Sequence, residues 1–179
     1  MKRIGMVFML SVSTLALLVA VAQADKRVRI LDACDPTTFN DAFGPGICVD
    51  VGGDVTVEEF LSDNVLPEGH PAWANEPGYI RIKPGERVKV TNEGGEVHTF
   101  TEVEAFGGGF VPDINNPTGS TGVPECVEDG DPNPALVFIP SGGKLELTGL
   151  SIGTHLFECC IHPWMRAAIK VVDKDEEGK

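Results

Sequence analysis

The segment Phe157–Arg166, FECCIHPWMR, places two cysteines, a histidine and a methionine within seven positions. The spacing Cys159-x2-His162-x2-Met165 is short enough for one loop to bring three side chains to a point. Thiolate, imidazole and thioether form a soft donor set that suits copper, above all when a second imidazole arrives from another strand. Two imidazoles and a thiolate in one plane, with a weak axial thioether, make a site that passes single electrons.

Zinc is the competing metal, with His98, Cys159, Cys160 and His162 as a Cys2His2 set. Neighbouring side chains on an extended strand point to opposite faces. Both cysteines could reach one ion only through a sharp turn. Cys159 keeps two residues between itself and His162, whereas Cys160 keeps one. Cys159 is therefore the expected thiolate ligand.

The elements that must position these residues read as short strands. Residues 27–31, 79–83, 87–91, 96–103, 136–139, 144–148, 154–159 and 168–172 carry apolar residues in alternation or short runs between turn signals. Lys83-Pro84-Gly85-Glu86 suits a type II turn between two of them. Residues 57–62 could form a helical turn. Residues 32–54 and 63–77 read as loop. The stretch 107–134 is too polar and interrupted to hold an element. Seven or eight strands with no sustained amphipathic helix indicate an all-β fold, an antiparallel sandwich or barrel.

The first 24 residues read as an export leader. Lys2 and Arg3 precede an apolar stretch, and Ala22-Gln23-Ala24 is a cleavage tripeptide, so the mature chain would start at Asp25. A retained anchor is the rival reading; no later segment is apolar enough to span a membrane. The net charge is −13, and loss of Lys2 and Arg3 takes it to −15. That argues against nucleic acid and anionic membrane surfaces. Export permits disulfides, so the expected location is periplasmic or secreted. Met165 is the only methionine after the leader, and His70, His98, His155 and His162 are the only histidines.

The segment GTHLFECCIHPWMRAAIKVV (153–172) resembles the C-terminal motif of the cupredoxins, the plastocyanin- and azurin-like blue copper proteins. Its ligand loop is most similar to that of amicyanin. The resemblance is strong over 153–172, moderate over 78–103 and weak over 25–77. It implies a Greek-key β-sandwich or barrel at 78–173. Residues 25–77 would be an N-terminal extension packed on it, 104–135 a long loop, and 174–179 a frayed tail. It also implies one type 1 copper held by His98, Cys159, His162 and Met165. His98 is the upstream histidine, in EVHTFTEV.

The resemblance further implies that Thr99 hydrogen-bonds toward the ligand loop and thiolate, and that His162 exposes a ring edge through an apolar patch. Pro163 stiffens the loop, Trp164 packs around the metal or lies on the surface, and Arg166 is a rim or solvated charge. His155 and His70 are read as non-ligands, His70 at the surface. With Cys159 on the metal, Cys34, Cys48, Cys126 and Cys160 allow three pairings. Cys34–Cys48 and Cys126–Cys160 are preferred, and a free buried Cys160 stays open.

The implied function is single-electron transfer by a monomer between donor and acceptor redox proteins, a basic docking surface on the partner suiting this acidic chain. It is not an enzyme. Copper delivery without redox turnover, or a disulfide-stapled accessory module, are the alternatives.

Overall fold

The computed structural model describes residues 26–63 and 69–173. The expected leader at 1–24, its cleavage point and the tail at 174–179 lie outside the described residues. In chain order the elements begin with β1 (Lys26–Leu31), α1 (Pro36–Phe43), α2 (Val57–Asp63), β2 (Ala74–Glu76), β3 (Tyr79–Ile82), β4 (Val88–Asn92), β5 (His98–Thr99) and β6 (Thr101–Val103). They continue with α3 (Pro112–Thr118), β7 (Val127–Glu128), β8 (Asp131–Pro132), β9 (Phe138–Ile139), β10 (Lys144–Leu147), β11 (Gly153–Glu158) and β12 (Arg166–Val171).

Two four-stranded sheets form the body, ordered β10-β4-β1-β2 and β3-β12-β11-β6. Strand alternation explains why they face each other. In β4, Val88, Val90 and Asn92 are buried while Lys89 and Thr91 are less so. In β12, Ala167, Ile169 and Val171 are buried. With Val28 and Ile30 of β1 and Phe157 of β11 they make one apolar cluster between the sheets. The fold is thus an all-β sandwich. Among the described residues no helix is long and apolar enough to cross a membrane.

Strand direction differs from the antiparallel expectation. β1 runs parallel to β4, and β3 parallel to β12. Alternation with period two carries no information about direction. Parallel neighbours need only a long enough connection, and the 56 residues from Asp32 to Arg87 supply one for β1 and β4. β1 is an interior strand, flanked by β4 and β2.

The residues expected to be loop at 32–54 contain α1. Asp35-Pro36 starts this helix. The Asp35 carboxylate accepts from the Thr38 N–H at 2.8 Å, and Pro36 occupies the first turn, where its missing N–H costs nothing. Only Phe39 of this helix is buried, so the apolar period is too faint to register. The helical turn expected at 57–62 is α2, whose Phe60 enters the core. The stretch 107–134, expected to hold no element, contains α3 and the β7–β8 hairpin. The single strand expected at 96–103 breaks at Phe100 into β5, which pairs with β9, and β6, which pairs with β11.

Lys83–Glu86 closes as the expected turn. The Glu86 N–H donates to the Lys83 carbonyl at 3.1 Å, and Gly85 takes a positive φ of 84° that a larger residue would resist.

Disulfides join Cys34 to Cys48 and Cys126 to Cys160, leaving Cys159 as a buried thiol. The first closes a 14-residue separation, so the double variant Cys34→Ala/Cys48→Ala should lose about 3 kcal/mol in urea denaturation. An unchanged midpoint would show that the bridge constrains little.

Candidate metal centre

β11 carries the chain to Glu158, and the next seven residues fold back to start β12 at Arg166. Two backbone bonds shape this return. The Met165 N–H donates to the His162 carbonyl at 2.9 Å, and the Cys159 N–H donates to the Met165 carbonyl at 3.1 Å. The turn therefore gathers Cys159, His162 and Met165 at one end of the sandwich. His98 arrives from β5, held in place across from Ile139 of β9.

The Cys159 sulfur lies 3.6 Å from Nδ1 of His98 and 3.9 Å from Nδ1 of His162. The three ligand atoms lie within 4.8 Å of one another, and all three residues are buried. Thiolate and imidazole ligands about 2.0–2.3 Å from a shared ion stand roughly 3.6–3.8 Å apart. The cluster could thus hold a single metal ion, with both histidines bound through Nδ1. Met165 is fully buried in the same turn.

The far nitrogen of His98 is fixed by a residue whose spacing gives no hint of it. Nε2 lies 2.7 Å from the Asp32 carboxylate. Asp32 immediately follows β1 and also accepts from the N–H groups of Gly95 at 2.9 Å, Glu96 at 3.1 Å and Cys34 at 3.3 Å. A carboxylate behind an imidazole sets its tautomer and aims the other nitrogen at the metal. Behind His162 stands Glu96, with Oε2 3.6 Å from Nε2 and accepting from the Trp73 indole N–H at 2.6 Å.

Burial alone would raise the Cys159 thiol, but the His162 and His98 rings beside the sulfur hold it well below the usual thiol range. Burial likewise opposes a charged His98, yet the Asp32 hydrogen bond and the Cys159 sulfur push it up to about 10. Burial opposes charge on Asp32 as well, but His98 and the backbone N–H groups keep its carboxyl lowered. These directions favour a proton on His98 over one on Cys159 or Asp32. Metal uptake would displace the imidazolium proton.

The neighbours expected to support the site are placed as follows. The Thr99 backbone N–H, not its hydroxyl, reaches the Cys159 sulfur, at 3.4 Å. The hydroxyl accepts from the Cys160 N–H at 2.8 Å and so pins the start of the loop. The Pro163 carbonyl accepts from Arg166 Nε at 2.9 Å. Arg166 is not a simply solvated charge, since it also donates to the Gly107 carbonyl and lies over the Phe106 ring. Trp164 is half-buried, its ring 5.5 Å from that of His162. Cys160, bonded to Cys126, is unavailable to a zinc set. Gly109 packs so closely on the Cys160 carbonyl that a Cβ there would collide with it.

Two expectations fail. His162 is only 3% exposed and presents no free ring edge. Phe60 and Trp73 cover it, at ring separations of 6.1 and 6.4 Å. His70, expected at the surface, is 5% exposed and packs edge-on against Trp73. Both differences share a cause, because the helical turn holding Phe60 and the loop holding His70 and Trp73 fold over this end of the sandwich.

His155 stands apart from the cluster. Its Nδ1 lies 2.6 Å from Glu102 and its Nε2 2.9 Å from the Ser151 carbonyl. The Glu102 contact, then the Ser151 carbonyl, raise its pKa above the ordinary value. A raised folded-state pKa gives stability that is complete below about pH 6.5 and lost as pH rises through the folded value. His155→Gln should remove this contribution, under about 1 kcal/mol for so exposed a partner. Unfolding free energies at acid and alkaline pH check it; equal losses at both would refute the ion-pair reading.

No protein-family model matches the chain, and no curated protein matches it. Solved structures do. The chain is similar to a purple cupredoxin from Nitrosopumilus maritimus at 17% identity, over 83% of this chain and 100% of that one, with a TM-score of 0.44. It is also similar to amicyanin from Paracoccus versutus at 19% identity, over 55% of this chain and 73% of that one, with a TM-score of 0.36.

Proposed function

We propose that this chain is an exported, monomeric cupredoxin-like protein that binds one type 1 copper ion and carries single electrons between redox proteins, without being an enzyme. The observation that carries this reading is the placement of the His98 and His162 Nδ1 atoms 3.6 and 3.9 Å from a buried thiolate-favouring Cys159. Met165, buried in the same turn, would supply a weak thioether donor beside them. Copper bound there would supply a one-electron couple.

The chain's own residues do the rest. Asp32 orients His98 through Nε2. The Thr99 N–H donates to the sulfur and tempers its charge. Pairing of β5 with β9 and the backbone bonds of the 159–165 turn anchor the donors, which would keep them in place through a change of charge. Phe60 and Trp73 keep water from His162. The two disulfides suit an oxidising compartment, in keeping with export to the periplasm or beyond.

The test is a Cu(II) titration followed by visible and EPR spectroscopy, then cycles of reduction and reoxidation. One equivalent should develop intense thiolate-to-copper absorption that bleaches and returns reversibly. Binding without that absorption, or copper released on reduction, would defeat the carrier reading and favour delivery.

A further inference from the structure

Five of the eleven large apolar side chains exposed among the described residues cluster in one stretch of sequence. They are Phe43 of α1, Ile47, Val49 and Val51 of the following loop, and Leu61 of α2. α1 and α2 adjoin through Phe39 and Phe60, whose rings are 5.6 Å apart, so Phe43 and Leu61 stand on neighbouring helices; contiguous apolar exposure marks an interaction surface. What lies underneath makes its position significant. The buried side of α2 presents Phe60, whose ring is 6.1 Å from His162 and 4.7 Å from Trp73. Phe39, on the buried side of α1, stacks on Trp73 at 5.9 Å with an interplanar angle of 18°. Phe39 in turn meets Phe43, which is 52% exposed, at 5.9 Å. Aromatic rings thus run in contact from His162 to the outer face.

The charge around this face selects its occupant. No lysine or arginine occurs between Arg29 and Arg81. Asp41, Asp50, Asp54, Glu58 and Glu59 are all exposed there. An apolar centre with a rim of one sign is the usual anatomy of a surface that steers an oppositely charged protein. The other exposed apolar group near the centre, Val97, Val137 and Phe138, differs in this respect: residues 133–143 carry no charge at all.

We infer that the outer face of α1, the 44–55 loop and α2 is the docking surface for a positively charged one-electron redox protein. This rests on the carrier reading for its purpose, but not for its binding. The exposed ring edge expected of His162 is replaced here by a cap, and the partner meets the cap. Transfer moves one electron between the two centres, one oxidised as the other is reduced, with no proton moved and no bond broken.

The experiment is an NMR titration of the disulfide-intact, metal-free protein with a c-type cytochrome of net positive charge. Amide shifts should concentrate at residues 41–61, and raising the salt should weaken binding at least roughly tenfold. The charge reversal Asp50→Lys/Glu58→Lys/Glu59→Lys should weaken it by a similar factor. Glu128→Lys, exposed on β7 and outside this face, should change it little. Shifts centred on Trp164, or on Val97 and Phe138, would overturn the assignment. Equal weakening by Glu128→Lys would also overturn it, leaving only general charge attraction. Because the measurement needs no copper, it separates the two readings. A chain that docks at α1 and α2 but never develops the copper absorption fails as a carrier alone. One that develops it and docks elsewhere fails only here.

Discussion

Cys159→Ser should bind copper without developing the intense visible absorption, and with affinity lower by orders of magnitude. The hydroxyl is a hard donor that stays protonated, whereas the His162 and His98 rings lower the thiol and favour thiolate. Nothing else near the centre can replace it, because Cys160 is bonded to Cys126. The change is nearly isosteric, so the apo-protein should still fold, at a cost of about 1–3 kcal/mol for a hydroxyl in a fully buried position. The matched control is Cys126→Ala/Cys160→Ala, which should keep the absorption while losing stability. Competition titration and visible spectra decide the matter. Retention of the absorption in Cys159→Ser would remove the thiolate from the site.

Asp32→Ala should have the largest effect on the fold and a second effect on the metal. Its carboxylate is buried with four contacts, to His98 and to the N–H groups of Cys34, Gly95 and Glu96. Truncation leaves those donors and the His98 ring without their acceptor. Breaking a buried ionic contact of this kind costs about 3–5 kcal/mol. Losing the carboxylate behind a metal-binding imidazole typically costs 10–100-fold in affinity. Asp32→Asn keeps the shape and one acceptor oxygen, so it should fold better than Asp32→Ala and still bind copper more weakly than wild type. Denaturant unfolding measures the first effect and copper competition the second. Wild-type affinity in Asp32→Asn would leave Asp32 with a purely structural role.

The candidate loop is legible because its chemistry is local. The spacing of Cys159 and His162 predicts that they meet, and the structure brings their ligand atoms together with that of His98. His98 needed the family resemblance, since a histidine in a two-residue strand has no local mark. Asp32 and Glu96 were out of reach. Each is an ordinary acid in sequence, and only the pairing of β1 with β4 brings Asp32 to His98. The covering of His162 was misread for a related reason. α1 is short, with one buried aromatic, and its helical period is drowned by turn-forming residues; α2 reads as a helical turn, but nothing local shows what its Phe60 packs against. Phe39, Phe60 and Trp73 gain their meaning only after those segments fold over the sandwich.

The contacts that assemble the centre span long stretches of chain. Asp32 and His98 are 66 residues apart, and His98 and Cys159 are 61 apart. Contacts so distant form late, and folds dominated by them mature in milliseconds to seconds rather than microseconds. The turn alone carries Cys159, His162 and Met165, but His98 joins them only once β5 is in place. The complete donor set therefore depends on closure of the sandwich, and an ion would meet all of it only in the folded chain.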